Sequence, residues 1–364
     1  MKVLQIINSL ETGGAEKLLL ESLPLYNNSG IEMDLLVMNG NEYPFMKELK
    51  ALNCCKIYSL GQKSVYNPLH LFQIIAYLKK YHIVHVHLFP AQYWVVIAKL
   101  ISFSKTKLVF TEHSTSNRRI QSSWLKYIDR FVYKKYHKIV CITPKVLNVV
   151  KKHTKLSEKN LHIILNGVNV DKYRNATPLS KADFFPEFDR NEKFVIQVSS
   201  FHEPKDQQTL IRAINLLPEN IKLLLVGDGI NKNLCEVLVA SLKLEKRVLF
   251  LGLRMDVSKL LKNVDIVVLS SKYEGLSLSS IEGMASGKPF IASDVPGLHE
   301  VVKDAGVLFP VGDEKALSLE IIALLENSPH YEETVRKCLM RAQEYDISKM
   351  VEKHIQLYDS IIKN

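Results

Sequence analysis

The chain lacks an apolar run long enough to cross a bilayer. Its most apolar stretch, Tyr93 to Phe103, is 11 residues long and is interrupted by Lys99, whereas a spanning helix needs ~20. It lacks a leader-like start as well. Residues 1–10 hold an apolar run of only five, Val3 to Ile7, and no small-residue cleavage site, so a first β-strand is expected there. Cysteine is scarce: the five are Cys54, Cys55, Cys141, Cys235 and Cys338. An odd number with no Cys-x-x-Cys pair argues against a disulfide framework, a zinc ribbon or a redox couple, and a reduced, cytoplasmic protein is expected. There is no Asp-x-Asp and no His/Asp cluster at ligand spacing, so no metal is expected. Low-complexity tracts and solenoid-length repeats are absent too. Disorder is excluded by a 47% hydrophobic content and by the shortness of the charge clusters.

What is present is alternation. Short β-branched runs occur at Val3–Ile7, Met33–Val37, Lys56–Leu60, Ile83–His87, Lys107–Thr111, Lys138–Ile142 and Leu161–Leu165, then at Phe194–Val198, Ile221–Val226, Val248–Leu251, Asp265–Ser270, Pro289–Ala292 and Gly306–Phe309. Amphipathic helical patterns separate them. Apolar strands without an in/out alternation belong to parallel sheets covered on both faces, so the fold class is α/β with two doubly wound units. Ligands are expected beyond the carboxyl ends of the strands. The boundary falls between Asn166 and Lys193, a stretch with Pro178 and Pro186 and no sustained period. We draw an N-terminal domain over 1–175 and a C-terminal domain over 176–345, with a last helix over 346–364. That helix places Met350, Val351, Ile355, Tyr358, Ile361 and Ile362 on one face and needs an apolar partner; packing back on the N-terminal domain would supply one.

Charge is divided unevenly. Residues 1–170 carry 23 Lys and Arg against 10 Asp and Glu, a balance of +13, and residues 171–364 carry 25 against 28, a balance of −3. The excess concentrates in 118–159, from Arg118 and Arg119 onward. There Lys126, Arg130, Lys134 and Lys138 recur every four residues as one helical stripe, while Trp124, Leu125, Ile128, Phe131 and Val132 fill another face. A solvated face over a core helix explains this pattern. A basic amphipathic helix lying on an anionic membrane explains it as well. Nucleic acid is not expected, because no recognition motif accompanies the charge.

The most specific local signal is Ser271-Lys-Tyr-Glu-Gly-Leu-Ser-Leu-Ser-Ser-Ile-Glu282, followed by Gly283-Met-Ala-Ser-Gly-Lys-Pro289. A strand ends near Ser270, Gly275 permits a tight turn and a helix begins near Ser277. Glu274 stays in the loop and Glu282 lies about one turn inside the helix. Between them the leading amides around Leu278 and Ser279 form a ready phosphate site. Carboxylate, anion-binding amides, carboxylate is an order that suits a nucleotide-sugar, since each carboxylate oxygen accepts hydroxyl hydrogen bonds from a sugar diol.

At this point the chain resembles the retaining glycosyltransferases of family 4. Glu274 and Glu282 match that family's Glu-x7-Glu motif. Gly13-Gly14-Ala15-Glu16 looks like its N-terminal glycine loop, Thr111-Glu-His113 resembles its Thr-x-His, and Asn166-Gly-Val-Asn169 is similar to the segment closing the N-terminal domain. Val226-Gly-Asp-Gly229 and Phe250-Leu-Gly252 fall where the family has similar segments; Asp228 itself reads as a turn residue. The resemblance implies the GT-B fold, with two Rossmann-like domains facing across a cleft. It implies that Glu282 binds the donor ribose, Glu274 the donor sugar, and the amides at Leu278 and Ser279 the phosphates. Gly13 and Gly14 would approach the diphosphate, with Glu16 nearby on the acceptor side, and His113 would face the sugar ring. The family's basic pair is an Arg and a Lys five residues on; here Lys205 is kept and Ser200 stands at the Arg position. His202 or Arg254 could supply the missing charge.

The expected activity is transfer of a hexose or N-acetylhexosamine from a nucleotide-diphosphate sugar, with UDP preferred, to a glycan or lipid-linked glycan hydroxyl in surface polysaccharide synthesis. No cofactor is expected. His113, Lys205 and Glu274 are the catalytic candidates, and a peripheral membrane location is compatible with the basic segment. A sugar-nucleotide epimerase on the same scaffold and a degenerate sugar-nucleotide-binding protein are the alternatives.

Overall fold

The computed structural model describes residues 1–114, 125–180 and 191–363; Arg118, Arg119, Trp124 and Pro186 lie outside them. In chain order the elements are β1 (Lys2–Ile7), α1 (Gly14–Asn28), β2 (Glu32–Val37), α2 (Pro44–Leu52), β3 (Ile57–Ser59), α3 (His70–Leu78), β4 (Ile83–His87), α4 (Ala91–Ser102), β5 (Lys107–Glu112), α5 (Leu125–Tyr133), β6 (Lys138–Cys141), α6 (Pro144–Thr154) and β7 (Leu161–Ile163). They continue with α7 (Val170–Arg174), β8 (Lys193–Val198), α8 (Gln207–Asn215), β9 (Ile221–Val226), α9 (Lys232–Ser241), β10 (Val248–Gly252), α10 (Val257–Lys262), β11 (Ile266–Leu269), α11 (Leu278–Ala285), β12 (Phe290–Ser293), α12 (His299–Val302), β13 (Val307–Phe309), α13 (Glu314–Glu326), α14 (Ser328–Glu344) and α15 (Ile347–Lys363).

Two compact units result. The first comprises Met1–Gly167 with Ile347–Asn364, and the second Val168–Asp346. The division thus falls ahead of the 175/176 boundary drawn from sequence, and the reason is packing: Val168, Val170 and Tyr173 are buried in the core of the second unit. Among the described residues the first unit holds a sheet of order β3-β2-β1-β4-β5-β6-β7 and the second a sheet of order β10-β9-β8-β11-β12-β13. The neighbouring strands pair in parallel. Each sheet separates two apolar layers, which is why the strands read as unbroken apolar runs. Strand order reverses between β1 and β4 in one unit and between β8 and β11 in the other. In open α/β sheets these switch points are where the loops beyond the strand ends diverge and leave a crevice.

The last helix packs on the first unit. Ile347, Met350, Val351, Leu357, Tyr358 and Ile361 join the layer formed by α1 and one face of the sheet, at ~1.5–3 kcal/mol for each large side chain taken out of water. Among the described residues no helix is long and apolar enough to cross a membrane.

The basic segment departs from the expected stripe. α5 ends at Tyr133, so Lys134 lies in the turn that follows and Lys138 opens β6, with Nζ donating to Lys159 O at 2.9 Å. Arg130 Nε donates to His153 O at 3.1 Å. The helix is also rotated relative to the expectation. Tyr127 (72% exposed), Ile128 and Phe131 face outward, while Asp129 is fully buried. The cause is a set of partners contributed from elsewhere: Tyr93 OH donates to Asp129, and His153 Nε2 lies 2.8 Å from its second oxygen. A buried carboxylate is tolerated when it is hydrogen-bonded in this way.

Candidate active site

In the second unit the β8/β11 switch point is built by a zipped pair of loops. Gln197, buried at the end of β8, donates from Nε2 to Ser270 O at 3.2 Å and accepts from Ser270 N–H at 3.1 Å. Further along, Asp206 N–H donates to Ser270 O at 3.1 Å and Lys272 N–H to Pro204 O at 2.8 Å, and Lys205 pairs with Ser271 in an antiparallel bridge. Gln207 closes the first loop from behind, donating to Ser199 Oγ at 3.0 Å and Ser200 O at 2.9 Å. These bonds bring Lys205 and Glu274 into an ion pair, although they are 69 residues apart in sequence. Both side chains are largely enclosed, at 16% and 10% exposed. Beside Lys205 opens a cavity of about 360 Å³ lined also by Arg212 and Lys272 as well as by Glu203 and Asp206.

α11 starts where the motif implies. Ser277 is its N-cap and makes no side-chain bond to the first-turn amides, and Ser280 N–H folds back to Ser277 O at 3.2 Å. The leading amides of Leu278 and Ser279 have no intrahelical acceptor by position. Glu282, the fifth residue of the helix, is only 3% exposed. The Glu274–Gly275 turn is braced by Gly297 in the loop after β12. A Cβ at Gly297 would lie 2.0 Å from Gly275 O and 2.5 Å from Glu274 O, and its φ is +92°. Of the other candidates here, Ser200 is exposed. Arg254 is tied to Asp256 by two bonds, Nε–Oδ1 at 2.8 Å and Nη2–Oδ2 at 2.6 Å. Asp228 caps its own turn by accepting from Gly229 N–H at 2.8 Å.

In the first unit the candidates gather beyond β1, β4 and β5. Gly13 is the N-cap of α1 and Gly14 its first residue. A Cβ at Gly13 would meet Glu16 Oε2, the mobile end of that side chain, at 2.2 Å. Burial raises the Glu16 carboxyl above its ordinary value. Asn8 Nδ2 donates to Phe89 O at 2.7 Å and links the loop after β1 to the one after β4. His113, just past β5, has Nε2 3.0 Å from His87 Nδ1, and burial pushes its imidazole down to about 4. Its neighbour Glu112 is buried and accepts from Tyr133 OH at 2.5 Å. Lys126, Arg130, Lys134 and Lys138 belong to the α5–β6 segment described above.

Sequence reasoning missed Gln5 and His87, which stand behind His113. The signal was available: Gln5 in Val-Leu-Gln-Ile-Ile and His85 and His87 in Ile-Val-His-Val-His are polar residues at buried positions of central strands.

Comparison with known proteins bears on family and fold. The model of the glycosyl transferases group 1 matches residues 180–338, and that of Glycosyltransferase Family 4 matches residues 12–172. The N-acetyl-alpha-D-glucosaminyl L-malate synthase of Bacillus anthracis is 30% identical over 305 residues, covering 80% of this chain and 77% of that one. A Campylobacter jejuni enzyme named N-acetylgalactosamine-N,N'-diacetylbacillosaminyl-diphospho-undecaprenol 4-alpha-N-acetylgalactosaminyltransferase is 24% identical over 94% of this chain and 95% of its own. Anabaena HepE, solved in complex with UDP and glucose, superposes with a TM-score of 0.84 at 20% identity, covering 99% of this chain and 100% of its own. The match to HepE bears on fold, and the family models and the Bacillus enzyme on kinship: this chain belongs to the family 4 glycosyltransferases and has their GT-B fold.

Proposed function

We propose that the enzyme transfers a hexose or N-acetylhexosamine from a UDP-sugar to a hydroxyl of a lipid-linked glycan, with retention of anomeric configuration and without a metal. The observation that carries this reading is the Lys205–Glu274 pair set beside the open N-terminus of α11. An ammonium has three N–H donors. One meets Glu274, and two are left for the diphosphate oxygens, whose other contacts would be the amides at Leu278 and Ser279. These groups face the charge that accumulates on the leaving diphosphate, where fixed donors are worth most. Glu274 would hold sugar hydroxyls and Glu282 the ribose.

The step balances without a dedicated base. The bond from the anomeric carbon to the phosphate oxygen breaks, the acceptor oxygen bonds to that carbon on the same face, and the departing phosphate oxygen takes the acceptor's proton. The choice of acceptor leans on relatives whose names specify diphospho-undecaprenol saccharides; the Bacillus enzyme, named for L-malate, makes a small hydroxy acid the competing acceptor. Peripheral contact with an anionic bilayer fits the same reading. Tyr127, Ile128 and Phe131 are exposed on α5 beside Lys126 and Lys134, and each basic residue near such a surface contributes ~1 kcal/mol.

The test is product analysis. UDP-sugars are incubated with an undecaprenyl-diphosphate saccharide or with L-malate, with and without chelator, and the product anomer is read by NMR. An α product from an α donor, formed on the lipid-linked saccharide at an unchanged rate in chelator, is expected. An inverted anomer, loss of the rate in chelator, exclusive use of malate, or an epimerised donor in the absence of acceptor would each refute the corresponding clause.

A further inference from the structure

A polar chain crosses the interior of the first unit and ends on His113. Gln5 of β1 lies beside His85 of β4 in the strand register, and His85 and His87 share a face, their rings stacked at 4.5 Å. His87 Nε2 is 2.8 Å from Gln5 Oε1, and its Nδ1 is 3.0 Å from His113 Nε2. α15 completes the chain from the other side. Tyr358 OH lies 2.6 Å from His85 Nδ1 and receives Gln5 Nε2 at 3.3 Å, and His85 Nε2 lies 2.7 Å from Thr111 Oγ1.

The protons in this chain can be assigned. Gln5 Nε2 also points at Met33 Sδ, 3.3 Å away, and a thioether only accepts. The amide nitrogen therefore faces Met33 and the carbonyl oxygen faces His87. A carbonyl oxygen only accepts, so His87 carries its proton on Nε2. Burial keeps His87 neutral, its imidazole held well below the ordinary value, so Nδ1 is a bare lone pair. The bond between the two histidines then runs from His113 Nε2–H to His87 Nδ1. His113, itself neutral, is left with a bare Nδ1. An imidazole that presents a lone pair and no charge accepts a hydroxyl hydrogen. It also adds no positive charge beside an oxocarbenium-like carbon.

We propose that Gln5 and His87 are positioning residues that hold His113 in its Nε2–H tautomer, leaving Nδ1 to accept from a hydroxyl of the transferred sugar. The tautomer follows from the first unit alone, whereas its use in the reaction rests on the function proposed above. Selective 15N labelling of histidine imidazoles tests the first part on the ligand-free protein. His113 is expected to show a protonated Nε2 and a bare Nδ1 at neutral pH. A protonated Nδ1, or a cationic ring, overturns the proposal.

The second part uses Gln5→Leu, which frees His87 to move its proton to Nδ1 and so to turn the bond around. It is expected to shift His113 toward the Nδ1–H form and to lower kcat about tenfold, the worth of one hydrogen bond, with little change in donor KM. His87→Asn keeps an acceptor where Nδ1 stood, so the tautomer and most of the rate should survive, whereas His87→Leu should lose both. A shifted tautomer with unchanged kcat in Gln5→Leu, or equal losses in His87→Asn and His87→Leu despite intact folding, overturns the positioning role. Failure of every nucleotide-sugar to react would instead strike at the proposed function, because the tautomer is read without substrate.

Discussion

Gly297→Ala is a substitution outside the candidate site whose effect can be worked from the structure. The new methyl would sit 2.0 Å from Gly275 O and 2.5 Å from Glu274 O, where an ordinary carbon–oxygen contact is ~3.3 Å. Both partners are backbone carbonyls, so no side chain can swing aside. Either the Glu274–Gly275 peptide or the 295–298 turn must move by ~1.3 Å. Residue 297 also holds φ at +92°, a conformation that costs a residue with a side chain ~1–3 kcal/mol. The displaced peptide carries Glu274, whose carboxylate pairs with Lys205. A misplacement of ~1 Å in a reacting constellation can cost ~100-fold in rate. We therefore expect kcat/KM for sugar transfer to fall by about two orders of magnitude, with a drop in Tm of ~2–4 °C per kcal/mol of strain. Gly287→Ala is the control, since its φ is +78° but its Cβ would meet only Lys262 Nζ at 3.6 Å. It should lose stability and keep the rate. A Gly297→Ala enzyme that folds and turns over like the wild type would refute the view that Gly297 braces the Glu274 turn.

Three further outcomes are expected. Lys205→Met removes the cation from the nearly enclosed Glu274 and a charge-assisted bond from the diphosphate, so kcat/KM should fall ~10–100-fold; steady-state kinetics showing an unchanged value would remove Lys205 from the site. Acidification should destabilise the fold. His354 is buried, with its imidazole pushed down by burial to about 4, while an unfolded histidine titrates near ~6.5. Between those values the unfolded chain binds the proton that the native state refuses, so stability falls as pH drops, by ~2 kcal/mol for this residue at pH ~5. His85 and His87 act in the same direction; a urea midpoint at pH ~5 equal to that at pH ~7 would contradict this. Finally, the double substitution Tyr127→Ser, Phe131→Ser should weaken cosedimentation with anionic vesicles while sparing transfer to a water-soluble acceptor. Vesicle binding that ignores both the substitution and lipid charge would exclude α5 as a membrane contact.

Much of this molecule was legible because it is written in local periodicity. Unbroken apolar strands separated by helical patterns announce parallel sheets covered on both faces, and a serine opening a helix eight residues after a strand reads as a candidate anion site. The spacing of Glu274 and Glu282 was readable for the same reason. Gln5, His85 and His87 were harder to read, because polar residues at buried strand positions announce partners without saying which. Tyr358, the partner supplied by α15, arrives from the far end of the chain.

What only the tertiary structure decided are the meetings between distant segments. Lys205 and Glu274 carry no sequence mark of being a pair; the Gln197–Ser270 clamp and the zipped loops put them together. The rotation of α5 is the clearest case. Its sequence favours burying Ile128 and Phe131, yet it buries Asp129, because Tyr93 and His153 wait beneath it to satisfy the carboxylate. A helix's own pattern states how much apolar surface it has to hide. Which face is hidden depends on whether polar groups elsewhere can offset the desolvation of the residue turned inward, and that sum exists only once the chain has folded.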